Sequence, residues 1–340
     1  MERVLITGAN GFIGSNLCKY FLERSYEVYG LVRESSNLHF LENLPVRLIR
    51  GDLASPESIQ FPAAIDYVIH AASVATEQAS KRTALRNIYE ATVNLVRLLR
   101  ERGIAPRRFI FISTTLVLGY KGSNISEANR GSSKKSFWYT RAKGMTEEFL
   151  RKQLRENGFP VIILRPSDVY GPNDRTMSML VLHGIEKWVP PIVGHGNWIF
   201  SFCYVENLCL ACLLACRMKG ENGKAYTVAN GTDTTWRQFF TIFLQRLGRR
   251  QRLYIPVSLA YVAAFFLQLL HALVPAFEAK LTFYRIHRIT TNSSYDISET
   301  VRVLDYHPDE DTERQVNSIV DWYLAEKASG YLPALMKVKR

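Results

Sequence analysis

Cysteine is scarce: the chain has five in 340 residues, an odd number that cannot all pair. This excludes a disulfide scaffold and suits free thiols in a reducing compartment. Cys209, Cys212 and Cys216 stand at i, i+3 and i+7 of a predicted helix, strung along one face where one tetrahedral ion would not collect them. They are expected in a core, and no metal is expected. No export leader is expected either, because the first apolar run starts at residues 3–6 with no basic n-region or h-region before it. The expected location is cytoplasmic. No internal repeat, low-complexity tract or nucleic-acid-binding motif accompanies the net charge of +12, so no nucleic-acid partner is expected and most of that charge reads as solvated surface.

What is present is the balance of a globular protein, 47% apolar and 22% charged. Apolar, β-rich runs at 4–7, 28–32, 46–49, 67–70, 109–113, 161–164 and 225–228 alternate with helical stretches. Near-continuous apolar strands joined by helices specify a parallel sheet covered on both faces, the doubly wound α/β (Rossmann) fold. Helices are predicted at 14–23, with Leu17, Phe21 and Leu22 as its stripe, and at about 85–102, stopping at Gly103. Residues 1–165 are expected to form a dinucleotide-binding domain, its sheet completed by about 200–230. Residues 166–199 and 231–330 are expected to form a smaller, mainly helical substrate lobe, and 331–340 a basic tail. The polar stretch 119–137 has no periodicity and reads as a mobile loop beside the site.

Thr7 to Gly14 read TGANGFIG, which sets Gly8, Gly11 and Gly14 between a predicted strand and a predicted helix. Such a turn brings backbone amides around Asn10, Gly11, Phe12 and Ile13 to a pyrophosphate at the helix N-terminus, where the helix dipole favours negative charge. The second strand ends at Arg33, a fork suited to a ribose 2′-phosphate where an acidic residue would hold a 2′-hydroxyl. NADP is therefore expected, with NAD the alternative. Asp52 and Leu53 after the third strand suit an adenine amine and its ring, or Asp52 is a turn cap. Ala71 and Ala72 leave room for the cofactor beyond His70, which reads as structural.

Tyr139 and Lys143 stand at i and i+4, on one face of a helix that follows the fifth strand. A neighbouring ammonium is expected to draw the phenol's pKa down from about 10 toward the working range, so that Tyr139 exchanges a proton with substrate. Spacing alone decides nothing, because Tyr323 and Lys327 repeat it in what reads as a surface helix near the C-terminus. Position after a ligand-facing strand separates the two pairs. Thr114, at the end of that strand, supplies a hydroxyl for the reacting oxygen, or closes an ST-turn.

On TGANGFIG, Gly51-Asp52-Leu53, His70-Ala71-Ala72, Ser113-Thr114-Thr115, the Tyr139/Lys143 pair and the run Arg165 to Pro172, the chain resembles the extended short-chain dehydrogenase/reductase family. Segments 194–198, 202–207, 292–297 and 304–308 are similar to its branch of 3β-hydroxysteroid dehydrogenases, dihydroflavonol reductases and related ketoreductases. The resemblance implies that Thr114, Tyr139 and Lys143 form the catalytic set, with Lys143 also bonding the nicotinamide ribose. It implies that Ser113, Pro166 and Val169 border the cofactor. An asparagine pair in the family's helix motif appears here as Asn87 and Asn94, one residue further apart than the pattern sets them, so Asn87 inherits no role.

By the same resemblance the expected reaction is alcohol–ketone interconversion on a hydrophobic small molecule. Trp188, Trp198, Phe200 and Trp236 suit such a ligand. A nucleotide-sugar epimerase or dehydratase with tightly held NAD is the alternative, and would use Arg175, Lys187 and Arg237 for a diphosphate. A non-catalytic NAD(P)-sensing regulator is the second, against which the intact Tyr139/Lys143 pair stands. Residues 257–274, between Pro256 and Pro275, are almost wholly apolar and, at 1.5 Å per residue, about 27 Å long as a helix. They are read as core or pocket wall ahead of a membrane-surface element, for which Arg246, Arg249, Arg250, Arg252 and the terminal Lys337, Lys339 and Arg340 would be the basic flanks. A homodimer is left open.

Overall fold

Val4 and Ile6 pack on one face of a sheet and Leu5 on the other, and the same alternation divides Ile110 and Ile112 from Phe109 and Phe111. Both sets are apolar because helices cover both faces, so no polar side remains to alternate with. The computed structural model describes residues 1–74, 79–132, 137–220, 222–274 and 281–332. One sheet holds β1 (Arg3–Thr7), β2 (Glu27–Val32), β3 (Arg47–Arg50), β4 (Tyr67–His70), β5 (Arg108–Ile112), β6 (Val161–Pro166) and β7 (Ala225–Val228). All seven predicted strands are present, all neighbours run parallel, and the order is β3-β2-β1-β4-β5-β6-β7.

The Phe12–Leu22 and Val205–Arg217 helices cover one face, where Cys18, Cys203, Cys209, Cys212 and Cys216 are all buried and free. Desolvation holds these thiols above their ordinary range, as expected of core packing. The other face is covered by Ala91–Glu101 and Trp138–Asn157. Helices Met177–Trp188, Trp236–Arg246 and Thr312–Ala328 enclose a further core, rich in aromatic rings such as Tyr170, Phe202 and Phe239.

Four expectations are corrected. The helix expected at 85–102 begins at Lys81, capped by Ser80, and passes through a π-helical turn, Leu85–Glu90, before Ala91–Glu101. The stretch 119–137 is not structureless: Gly122–Ile125 is a strand paired with Ser293–Tyr295, because Leu118, Ile125 and Tyr295 bury one another. Of that run only Ile125 takes part in this cluster, too little to leave a period; residues 133–136 lie outside the described ones. Tyr323 lies on a helix with an exposed face, as expected, but its own side chain is fully buried. Finally, Val257–Leu273 is a helix whose buried residues are Ala260 and Ala264 alone, so it is not a core helix. Its sequence is apolar on every side and so carried no sign of which side faces inward. Pro275 and the terminal basic residues lie outside the described ones, and among those described no helix is long and apolar enough to cross a membrane.

Candidate active site

The strand order reverses between β1 and β4, and a cleft of about 870 Å3 opens above the C-terminal ends of the strands there, where such sheets bind ligands. Gly8 continues β1 with φ of +67°, and an added Cβ would meet the Ala72 backbone at 2.8 Å. At Gly14 a Cβ would strike the Gly8 carbonyl oxygen at 2.1 Å. Both glycines are thus required for the turn to fold on itself. Gly11 is the N-cap of Phe12–Leu22 and offers no side chain to its first amides. Those amides and the positive end of the helix dipole face the cleft, lined here by Gly8, Asn10, Gly11, Phe12, Ile13 and Gly14.

A relay of polar groups ties the turn to the neighbouring strand. The Thr92 hydroxyl donates to the Ile88 carbonyl at 2.6 Å, so it can only accept from His70 Nε2, 2.9 Å away. His70 Nδ1 then accepts from the Thr7 hydroxyl at 2.7 Å, and the Thr7 oxygen accepts from the Ala72 amide at 3.1 Å. Every member is satisfied by a neutral imidazole. Burial, with Lys143 adding repulsion, holds the His70 pKa down at about 3. His70 is structural, as expected, and what it positions is the Ala71–Ala72 edge of the cleft.

At the far end, Arg33, Asp52 and Leu53 line the cleft together. Asp52 Oδ1 accepts from the Ala54 amide at 2.8 Å, so it closes its own turn as well. Glu34, next to Arg33 in the chain, pairs with Arg50 at 3.7 Å. The exposed Arg33 guanidinium has no carboxylate partner among the described residues.

β5 delivers Ser113 and Thr114, and the Trp138–Asn157 helix presents Tyr139 and Lys143 opposite them; all four line the cleft with Pro166 and Val169. Thr114 and Tyr139 are hydrogen-bonded through their side chains. Lys143 Nζ donates to the Ile112 carbonyl at 2.6 Å and sits 4.7 Å from the Phe111 ring centroid, itself buried. The expected depression of the tyrosine pKa is not found. Burial pushes the Tyr139 phenol up to about 12, with the Thr114 bond offsetting it in part and Asp168 adding to it. It is the lysine that is drawn down, to about 7, because its ammonium is desolvated. In a pair this dry, loss of solvation outweighs mutual attraction.

Ser113 is also corrected in part: it borders the cleft, but its hydroxyl donates to Glu147 Oε1 at 2.6 Å. Glu147, one turn beyond Lys143, receives Arg165 Nε at 2.9 Å and its second nitrogen at 2.5 Å. This buried pair fixes the active-site helix to β6, and Arg165 also reaches Glu127.

Scanned as a whole, residues 4–229 match the NAD dependent epimerase/dehydratase family. The chain belongs to this family. It is 28% identical to a 3-beta-hydroxysteroid dehydrogenase of Mycolicibacterium neoaurum, over 95% of this chain and 92% of that protein. It is 27% identical to the 4-hydroxy-2-methyl-3-oxo-4-farnesyl-3,4-dihydroquinoline-1-oxide ketoreductase of Stigmatella aurantiaca, over 85% of this chain and 88% of that one. The crystal structure of gox2253 superposes with a TM-score of 0.77 at 22% identity, covering 97% of this chain and 99% of that one. Membership in this family, the extended short-chain dehydrogenase/reductases, makes the chain an NAD(P)-dependent enzyme.

The cleft fits that group. Besides the glycine turn, the hydroxyls of Ser73 and Ser167 line it, buried and without a hydrogen-bond partner, which is costly unless a ligand supplies one. Ser73 carried no sequence signal of its own, whereas Ser167 falls within the run Arg165 to Pro172. Asn87 also lines the cleft although its spacing to Asn94 is one residue too long for the family's motif. The π-helical turn Leu85–Glu90 absorbs the extra residue, as a π-bulge does, so Asn87 reaches the cleft while Asn94 bonds the Leu53 carbonyl at 2.7 Å. Asp168 pairs with the buried Arg288 over the nicotinamide end. Of the cations considered for a diphosphate, Arg175 lines the cleft, whereas Lys187 and Arg237 are exposed elsewhere. Phe200 and Trp236 line it too, while Trp188 is exposed and Trp198 stacks on His195 at 3.9 Å.

Proposed function

We propose that this family member is an NADP-dependent oxidoreductase that interconverts a ketone and an alcohol on a hydrophobic substrate. One observation carries the reading. An apolar chamber of about 730 Å3 adjoins the cleft at Tyr284, which lines both. Its walls include Tyr120, Tyr261, Phe265 and Phe283, with no charged side chain among them. Phe137, two residues before Tyr139, meets Tyr284 edge-on with ring centroids 4.5 Å apart. A bulky apolar body in the chamber therefore brings its polar end toward Tyr139. The similar proteins named for a hydroxysteroid and a farnesyl-bearing quinoline support this size and polarity.

Pro166, Ser167 and Val169 would hold a nicotinamide, which when bound would supply or accept the hydride. Tyr139 gives its phenolic proton to the carbonyl oxygen in reduction and recovers one in oxidation, with the Thr114 hydroxyl bonding the same oxygen. A phenol held near 12 is stored as the acid, the form that reduction consumes. Lys143, anchored by the Ile112 carbonyl, would have its remaining N–H groups to offer to the ribose hydroxyls of a bound cofactor.

Arg33, exposed at the end of β2 and lining the cleft, supports a preference for the 2′-phosphate. Arg33→Ala should weaken NADPH binding by roughly 10- to 100-fold, the worth of a charge-assisted bond, and leave NADH nearly unchanged. Separate fluorescence titrations of the two nucleotides measure this; equal losses for both would remove the NADP assignment. The nucleotide-sugar reading predicts instead that NAD copurifies and resists exchange, which a nicotinamide assay of the purified protein decides.

A further inference from the structure

The Val257–Leu273 helix carries no charged residue and rests on the protein through Ala260, Ala264 and the chamber wall. Its outer face is Leu259, Val262, Phe266, Leu269, Leu270 and Leu273, with Phe266 61% and Leu273 73% exposed. A continuous apolar stripe of this kind on a helix end to end is far beyond scattered surface leucines. At 1.5 Å per residue its 17 residues reach about 26 Å, too short to span a bilayer of about 30 Å but suited to lying in its interface.

The charge around this helix says what covers it. Between residues 234 and 295 the chain has eight Lys or Arg and one acidic residue, Glu278, although Arg288 is buried on Asp168 and Arg246 pairs with Asp321. Arg249, Arg250 and Arg252, all exposed, precede the helix directly, and Leu253 and Tyr254 beside them are exposed as well. Two copies facing each other here would set like charge against like. An anionic lipid surface supplies the opposite charge and an apolar layer beneath it.

We propose that this helix docks the protein on anionic phospholipid membranes, its apolar face sunk among the acyl chains and its arginines on the headgroups. Val262, Phe265 and Phe266 belong to the helix and line the chamber as well, so docking turns the chamber toward the lipid. On the reading of the chamber as a substrate site, the substrate is a lipid-soluble ketone or alcohol drawn from the bilayer rather than from water.

The test is cosedimentation of the full chain, with NADPH present, on phosphatidylglycerol/phosphatidylcholine vesicles and on phosphatidylcholine alone. The protein should pellet with the anionic vesicles at low salt and much less with the neutral ones or at high salt. Leu269→Glu/Leu273→Glu, at exposed positions outside the chamber lining, should lower the partition coefficient by at least about tenfold while circular dichroism and NADPH binding stay unchanged. Recovery of wild type in the supernatant, or equal pelleting of the variant, overturns the proposal. So does a stable dimer in light scattering that the double variant dissolves, which would make a second copy the occupant. Sedimentation needs no turnover, so protein that pellets but reduces no apolar ketone leaves the docking intact and removes only the substrate reading.

Discussion

The molecule contains two Tyr-x-x-x-Lys pairs, on two helices, with opposite surroundings. Tyr323 donates to Glu186 Oε2 at 2.8 Å and Lys327 to Glu186 Oε1 at 2.7 Å, so one carboxylate ties up both polar ends. Tyr139 instead shares its hydrogen bond with the Thr114 hydroxyl, and Lys143 with a backbone carbonyl. No carboxylate is bonded to either of these two, although Asp168 and Glu147 lie close enough to influence them. The first pair fastens Thr312–Ala328 to Met177–Trp188; the second stands open on the cleft. Identical spacing yields a clasp where a carboxylate faces it and a proton carrier where a strand end does.

The largest separation should appear in turnover. Tyr139→Phe removes the exchangeable proton and should lower turnover by roughly 10²- to 10⁴-fold with NADPH binding retained. Tyr323→Phe should change it less than about twofold, a minor perturbation on the usual scale of catalytic losses. Steady-state assays on an apolar ketone, with nucleotide titration alongside, compare the two. Full activity in Tyr139→Phe would remove Tyr139 as the proton carrier, whereas absence of turnover in the wild type with NADPH bound would transfer the chain to the regulator class.

This difference was legible in the sequence only through position. All seven strands and the glycine turn could be read, because buried parallel strands are apolar throughout and the turn needs glycine where backbone meets backbone. Every residue assigned to the cofactor or to catalysis lines one cleft. What could not be read depends on contacts made at a distance. The Glu186 carboxylate lies 137 residues before Tyr323, and Glu147 claims the Ser113 hydroxyl from the other side of the sheet edge. Asn87 was set aside on spacing because a π-helical turn has no signature in composition. The direction of the Tyr139 and Lys143 shifts was missed because the i, i+4 rule counts attraction but not the water removed from both groups.

A smaller effect tests the same contrast through pH. Lys143 is held at about 7 in the fold against 10.5 ordinarily, so between those values the folded chain binds fewer protons than the unfolded one. The Lys143 contribution to stability therefore rises with pH through that window and is lowest below about 7, where the buried ammonium is carried at full cost, while the buried thiols, held above their ordinary range, contribute in the opposite direction above about 9. Lys143→Met should remove this rise, on the order of a few kcal/mol across the window. Lys327→Met should leave it in place, since Lys327 is half-exposed on its ion pair. Urea titrations of the nucleotide-free protein from pH 6.5 to 10 measure both. The same pH dependence in wild type and Lys143→Met would mean that Lys143 is solvated.

The smallest effect belongs to the clasp itself. Glu186→Gln keeps the shape of the side chain and an acceptor for Tyr323 but removes the charge beneath Lys327. That ion pair is exposed on the lysine side, so water already shares most of its field, and its loss should cost less than about 1 kcal/mol in urea unfolding. The Tyr323 phenol is held above its ordinary range partly by the same carboxylate, and should titrate lower in the variant. A loss of several kcal/mol would show that the clasp is as dry as the Tyr139 pair. The contrast between the two would then rest on bonding partners alone and not on solvation.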